Sequence, residues 1–388
     1  MVASRLLPGR AKRVATPYLG LVANGCWTPD FLSAPNKQVV SLNRHVVRER
    51  VTAIALVYAN FYVPSGAAAV EAGSGAAATI TARVAKGWGG ALLPVTFGGA
   101  ANGSIPNNGY LVSDFVDIDL DDGDELFDLP LFESTGGVLL VSSAQDYANG
   151  EAVKYAASGL SVADLTWGAA SADTGYSYKP VAIIGMTTKR TVAIIGDSKN
   201  VGYLDRFNDT SGNLGEIARS LGETYACAKF CIGGDSAQEF VASHANRAAL
   251  ANAYASDVSL GFAYNDFVSG RTAAQVVGDL QTIAGYFPGK NVWGQTCAPS
   301  STTSTDWATV AGQTATQAAK VVFNTSMLAR PVGFTGVWNV GDAVASGRNT
   351  NKWAEDTSLA LPKFVTSDGV HPNERGYRRI KDSGVVRL

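Results

Sequence analysis

Thr191-Val-Ala-Ile-Ile-Gly-Asp-Ser198 decides how this chain is read. Val192 to Ile195 is an unbroken apolar run, too short for a helix and stopped by Gly196. Such a run reads as a strand buried on both faces, which belongs to a parallel sheet covered by helices. The residues downstream agree. Strand signals at 225–232, 258–264, 291–296 and 336–340 alternate with helical patterns at 213–221, 236–255, 272–286, 306–328 and 372–381. That alternation predicts a parallel sheet with helices on both faces. In such sheets the working site lies outside the carboxyl ends of the strands.

Upstream the pattern changes. From 39 to 184 the chain offers short runs rich in Val, Ile, Thr and Tyr, separated by Gly, Asn, Ser and Asp. They predict an all-β sandwich or jelly roll. Val116, Ile118 and Leu120 alternate with Asp117, Asp119 and Asp121, so the aliphatics share one face of a strand. Asp122-Gly123 then supplies the turn of an expected hairpin. The division falls into residues 1–187, a β-sandwich accessory domain with a basic N-terminal arm (Arg5, Arg10, Lys12, Arg13), and residues 188–388, an α/β domain.

Composition narrows the function. The 388 residues are 46% hydrophobic, enough for packed cores and against wholesale disorder. Charged residues are 16%, below the usual share of about 25%, and the net charge is −2. That balance gives no support to nucleic acid or an anionic membrane as a bulk partner. No run approaches the roughly 18 apolar residues of a membrane span. Arg5, Arg10, Lys12 and Arg13 interrupt the first apolar residues, so no signal-peptide core forms; an extracellular or phage-associated setting is the expectation for compartment. The Asp117-x-Asp119-x-Asp121 series resembles the start of a calcium loop, but Asp122 stands where Gly is required and Glu is missing at the last position. No metal and no cofactor is expected. Cys227 and Cys231 read as buried apolar residues, and His45 and His244 as structural.

Four short segments of the second half carry the chemistry. Ser198 ends the first strand at the carboxyl edge, where a following helix leaves its backbone N–H unbonded. Cys231-Ile-Gly-Gly-Asp-Ser236 ends the second strand, and its glycines let backbone amides approach a ligand. Gly261-Phe-Ala-Tyr-Asn-Asp266 ends the third, offering the Asn265 amide. Asp368-Gly-Val-His371 lies near the C-terminus, and a carboxylate three residues before a His can fix its tautomer. Taken singly, the first three read as ordinary caps or turns, and the fourth reads equally as a solvated loop before a helix. Of the three His, only His371 has a carboxylate at catalytic spacing.

In that order the four segments resemble the blocks of the SGNH, or GDSL-like, hydrolases, over residues 191–388. The resemblance implies a flavodoxin-like α/β/α sandwich. It implies Ser198 as nucleophile, Asp368 and His371 as its dyad, and Ser198, Gly234 and Asn265 as oxyanion donors. Two positions depart from the pattern: Ala263 stands where the third block has Gly, and Lys199 follows the nucleophile. The implied reaction is ester hydrolysis through an acyl-enzyme. An added β domain beside such an enzyme points by analogy to acetylated carbohydrate, hence a carbohydrate O-acetylesterase. The alternatives are a lipase or thioesterase acting on another acyl ester, and an inert glycan-binding or virion structural protein. A homo-oligomer formed through the β domain is a further expectation.

Overall fold

The computed structural model describes residues 16–33, 36–66, 69–136, 138–142, 149–165, 167, 176–205, 212–304, 309–356 and 363–388. The basic stretch of residues 5–13 lies outside the described residues.

The 191–195 run forms the strand Thr191–Gly196, buried at every position. Its side chains alternate between two cores. Ala193 and Ile195 join one apolar cluster with Phe240, Leu250 and Leu280, while Val192 and Ile194 join another with Ile217, Leu221 and Ile380. Helices therefore cover both faces. The strand is central in a fully parallel sheet. In spatial order the sheet runs Cys26–Trp27, Ala226–Lys229, Thr191–Gly196, Asp257–Gly261, Asn291–Gln295, Gly336–Trp338. Without its first member this is the 2-1-3-4-5 order of flavodoxin-like folds. The order reverses beside Thr191–Gly196, so the carboxyl end of that strand opens onto the crevice where such sheets bind ligands.

The two large sheets of the first half are antiparallel. One is built on Val51–Ala59, paired with Ala182–Thr187, Tyr110–Val112 and Val116–Leu120. In the other, Glu125–Ser134 lies between Gln38–Val46 and Ala78–Lys86. Ile54, Leu56 and Tyr58 of the first and Ile80, Val84 and Phe132 of the second belong to one buried cluster. That cluster also contains Ala193, Ile195 and Phe230. The two halves thus share a continuous apolar core.

The first half also enters the second half's sheet. Cys26–Trp27 adds to its edge in parallel with Ala228 and Lys229. The buried Asn24 donates to Asn213 Oδ1 at 2.9 Å and to the Gly222 carbonyl at 2.6 Å, and accepts from the Cys227 N–H at 2.6 Å.

Several expectations are corrected. Val116, Ile118 and Leu120 are buried and Asp117 and Asp119 exposed, as the alternation requires, but no hairpin forms. Glu125–Ser134 has both edges occupied, so Val116–Leu120 pairs with Val51–Ala59 in the other sheet. The 236–255 pattern is two helices, Ala237–Ala242 and Ala245–Tyr254, broken at Ser243-His244, where Ser243 Oγ accepts the Glu71 N–H at 2.9 Å. The 306–328 pattern is helical only over Ala319–Leu328, and its first residues, to 308, lie outside the described residues. Ahead of that helix Gln313–Ala315 pairs with Ser301–Thr303 as a hairpin. The strand at 336–340 stops at Trp338, and Asn339 caps a short helix, Val340–Val344. The helix at 213–221 is reduced to Ala218–Leu221.

Candidate active site

The turn after Thr191–Gly196 is tight because two glycines face each other. Gly196 registers with Gly261 of the neighbouring strand, and a Cβ on Gly196 would meet the Gly261 carbonyl oxygen at 2.6 Å. Asp197 then caps a four-residue helix, Ser198–Val201, accepting the Lys199 N–H at 3.0 Å. Ser198 is thus the first helical residue, whose N–H has no intrahelical acceptor.

Ser198 Oγ lies 2.8 Å from His371 Nε2. His371 Nδ1 lies 2.7 Å from Asp368 Oδ2. The ionised carboxylate can only accept, so the ring proton sits on Nδ1 and is donated to Asp368, which leaves Nε2 unprotonated and able to accept the hydroxyl hydrogen. Asp368 Oδ1 accepts the backbone N–H groups of Val370 and His371, both at 2.8 Å. Burial alone would raise the Asp368 pKa. The hydrogen bonds from the ring and the two amides outweigh it and bring the value down to about 2.

The loop carrying this dyad is held by residues that composition and spacing did not reveal. Thr366, 3% exposed, donates to the His371 carbonyl at 2.7 Å and accepts the Gly369 N–H at 3.0 Å. The buried Trp353 indole donates to the Gly369 carbonyl at 2.9 Å. Tyr203, 55% exposed, sets its ring 4.8 Å from the His371 ring and forms one lip of the site.

The second and third strand-end segments meet the first at the same sheet edge. The Ile232 N–H donates to the Gly196 carbonyl at 3.0 Å, and the Asp197 N–H to the Gly261 carbonyl at 3.2 Å. Gly234 has φ +85°, open to glycine with little strain. Asn265 Nδ2 donates to the Asp235 carbonyl at 2.7 Å. An amide carries two N–H bonds, so one remains for a ligand. The neighbouring Asp266 accepts the Ala237 and Gln238 N–H groups at 3.1 and 3.2 Å, which ties the third segment to the helix after the second. Burial pushes Asp266 up to about 6.

Both departures from the block pattern have visible consequences. Ala263 takes φ +147°, a conformation suited to the glycine it replaces. Lys199 turns away from the opening into a buried pocket (3% exposed), its ammonium 4.8 Å from the Tyr264 ring centroid. Glu216 lines the same pocket, and burial pushes it up to about 8.

The other residues singled out earlier have structural places. His45 is buried against Asp128 at 2.6 Å, and His244 stacks on Tyr286 with ring centroids 3.9 Å apart. Cys227 and Cys231 share one apolar cluster. No helix among the described residues is long and apolar enough to cross a membrane.

No family model and no curated protein matches the chain. Solved structures of GDSL-family lipolytic proteins match about half of it. A lipolytic protein of the G-D-S-L family from Veillonella parvula is 17% identical over 51% of this chain and 97% of its own, with a TM-score of 0.33. A carbohydrate acetylesterase from Sinorhizobium meliloti is 12% identical over 51% and 97%, with a TM-score of 0.34. Phospholipase A1 from Streptomyces albidoflavus is 16% identical over 50% and 99%, with a TM-score of 0.35.

Proposed function

We propose that this protein is a serine esterase that hydrolyses carboxylic esters through an acyl-enzyme. The observation that carries the reading is the continuous chain from Ser198 Oγ through His371 to Asp368, with contacts of 2.8 and 2.7 Å at the switch point of a parallel sheet. His371 Nε2 takes the Ser198 proton as Oγ attacks the ester carbonyl. The charge that develops on the carbonyl oxygen is met by the Ser198 and Gly234 N–H groups and the free Asn265 N–H. His371, protonated, gives its proton to the leaving alcohol. It then takes one from the water that releases the acid. Asp368 holds the imidazole in the required tautomer and stabilises its cation.

The favoured substrate class is an O-acetylated poly- or oligosaccharide. Its support is one exposed aromatic beside the base: Tyr203, 55% exposed, sets its ring 4.8 Å from that of His371, a surface on which a sugar ring can stack. The test is acetate release from a panel of acetylated glycans and from nitrophenyl esters of increasing chain length. Wild type is expected to prefer acetate, and Ser198→Ala to lose turnover while keeping its fold. Full activity in Ser198→Ala removes the assigned nucleophile. A preference for long acyl chains moves the protein to the lipase or thioesterase reading.

A further inference from the structure

The oxyanion segment 233–235 is held from outside the α/β half. The Gly66 N–H donates to the Gly233 carbonyl at 2.8 Å, and Ser65 Oγ donates to the same oxygen at 3.0 Å. A peptide group is planar and trans, so its C=O and N–H point in opposite directions. The N–H opposite the Gly233 carbonyl is that of Gly234. Two donors that fix the carbonyl therefore aim the N–H. Gly66 also presses on Gly234 from behind: a Cβ there would meet Gly66 backbone atoms at 2.7 to 2.9 Å.

Glu71 makes the second attachment. The helix Ala245–Tyr254 begins at His244 without a side-chain cap of its own. Glu71 supplies one, its carboxylate accepting the Asn246 N–H at 2.7 Å and the Arg247 N–H at 3.1 Å. It also accepts from Arg247 Nε at 3.2 Å. The same guanidinium, fully buried, reaches Asp235 Oδ2 at 2.5 Å. Asp235 is the residue whose carbonyl receives the Asn265 amide. A carboxylate of the first half thereby sets the position of the second donor through one arginine.

We infer that the N-terminal β half is a structural part of the oxyanion hole, with Ser65 and Gly66 positioning the Gly234 N–H and Glu71, through Arg247, positioning Asp235 and Asn265. The inference rests on the esterase reading. It makes the β half a component of the catalytic apparatus as well as any surface it offers to substrate.

Ser65→Ala gives the cleanest test, because Ser65 is exposed and its hydroxyl holds only this carbonyl among the contacts described. In the full chain, kcat on 4-nitrophenyl acetate is expected to fall about tenfold, a fraction of the 10²–10³ lost when a donor is removed outright. KM and Tm are expected to stay near the wild-type values. Phosphonylation of Ser198 by a fluorophosphonate, in which Oγ bonds to phosphorus and fluoride leaves, should slow in step, since its phosphoryl oxygen occupies the same hole. Glu71→Gln should lower kcat further, with Glu71→Asp recovering part of the loss. Wild-type kcat and phosphonylation rate in Ser65→Ala overturn the inference while leaving the esterase standing. A wild-type protein that neither cleaves esters nor takes the fluorophosphonate overturns both.

Discussion

Asp368 is held by more than its partner imidazole. Two backbone amides point at its second oxygen, so it stays ionised well into the acid range. The group's pKa is depressed in the folded state, so its stabilising contribution is present above the unfolded carboxylate pKa of about 4 and lost as pH falls toward 2. Between pH 4 and 2, Asp368→Asn should therefore lose less stability than wild type, measured by chemical denaturation at each pH. At neutral pH the same variant presents an amide N–H to His371 Nδ1 and favours the wrong tautomer. Its kcat should drop by about 10⁴, the scale of the equivalent change in the serine protease triad. Ala263 offers a different kind of test. Replacing a well-placed buried alanine by glycine costs roughly 0.5–1 kcal/mol in chain entropy plus its methyl. At φ +147° the relief of strain, about 1–3 kcal/mol, offsets that loss. Ala263→Gly should leave Tm unchanged or raised, and a fall matching an ordinary buried site would show that the position is unstrained.

Among the elements, the loop from Thr366 to Pro372 is the most dependent on single atoms. Thr366→Val keeps the shape and removes a hydroxyl that serves two backbone groups of the loop, the buried Gly369 N–H and the half-buried His371 carbonyl. Leaving those groups unsatisfied costs about 1–3 kcal/mol. The expected result is a lower Tm and a kcat reduced more than KM changes, because the His371 carbonyl loses its anchor. Thr366 was not legible in the sequence, where a threonine two residues before Asp368 carries no spacing signal. Ser198, Gly234, Asn265, Asp368 and His371 were legible as candidates, each after a strand end or within three residues of its partner, and it was the family resemblance of the four segments that joined them into one set. Long-range partners such as Glu71 leave no periodic trace. The same limit explains the helix expected at 306–328. Hydroxyls around residues 300–316 bond across a hairpin, with Ser300 Oγ 2.6 Å from Thr316 Oγ1 and Ser301 Oγ donating to Gln313 Oε1 at 2.9 Å. Helix formation waits until Gln317, at φ +54°, has turned the chain. The alternation at 116–120 gave the buried face correctly, since facing depends on the strand alone. It said nothing of the pairing, which depends on edges already taken.

At the scale of the whole molecule, two halves that read as separate domains share a core, an edge strand and a buried ion network. The Glu71–Arg247–Asp235 cluster is worth little as a sum of attractions. Removing one member, though, strands charge in the interior and costs about 3–5 kcal/mol. Neither half has a complete surface without the other. Calorimetry of the intact chain should therefore show one cooperative transition. Two resolved transitions would show halves that fold independently.

The edge strand Cys26–Trp27 has one more consequence, for measurement. The four cysteines are free and buried, and burial pushes the thiols of Cys227 and Cys231 up to about 12 and that of Cys26 higher still. A thiol that is neither ionised nor reachable does not react. Cys26 sits on the seam with Ala226–Lys229, so it becomes a clock for that seam. In native buffer, the rate at which a maleimide captures Cys26 records how often the two halves part, and an equal rate at Cys297, the buried cysteine just beyond the strand Asn291–Gln295, would mean that the seam opens only when everything does.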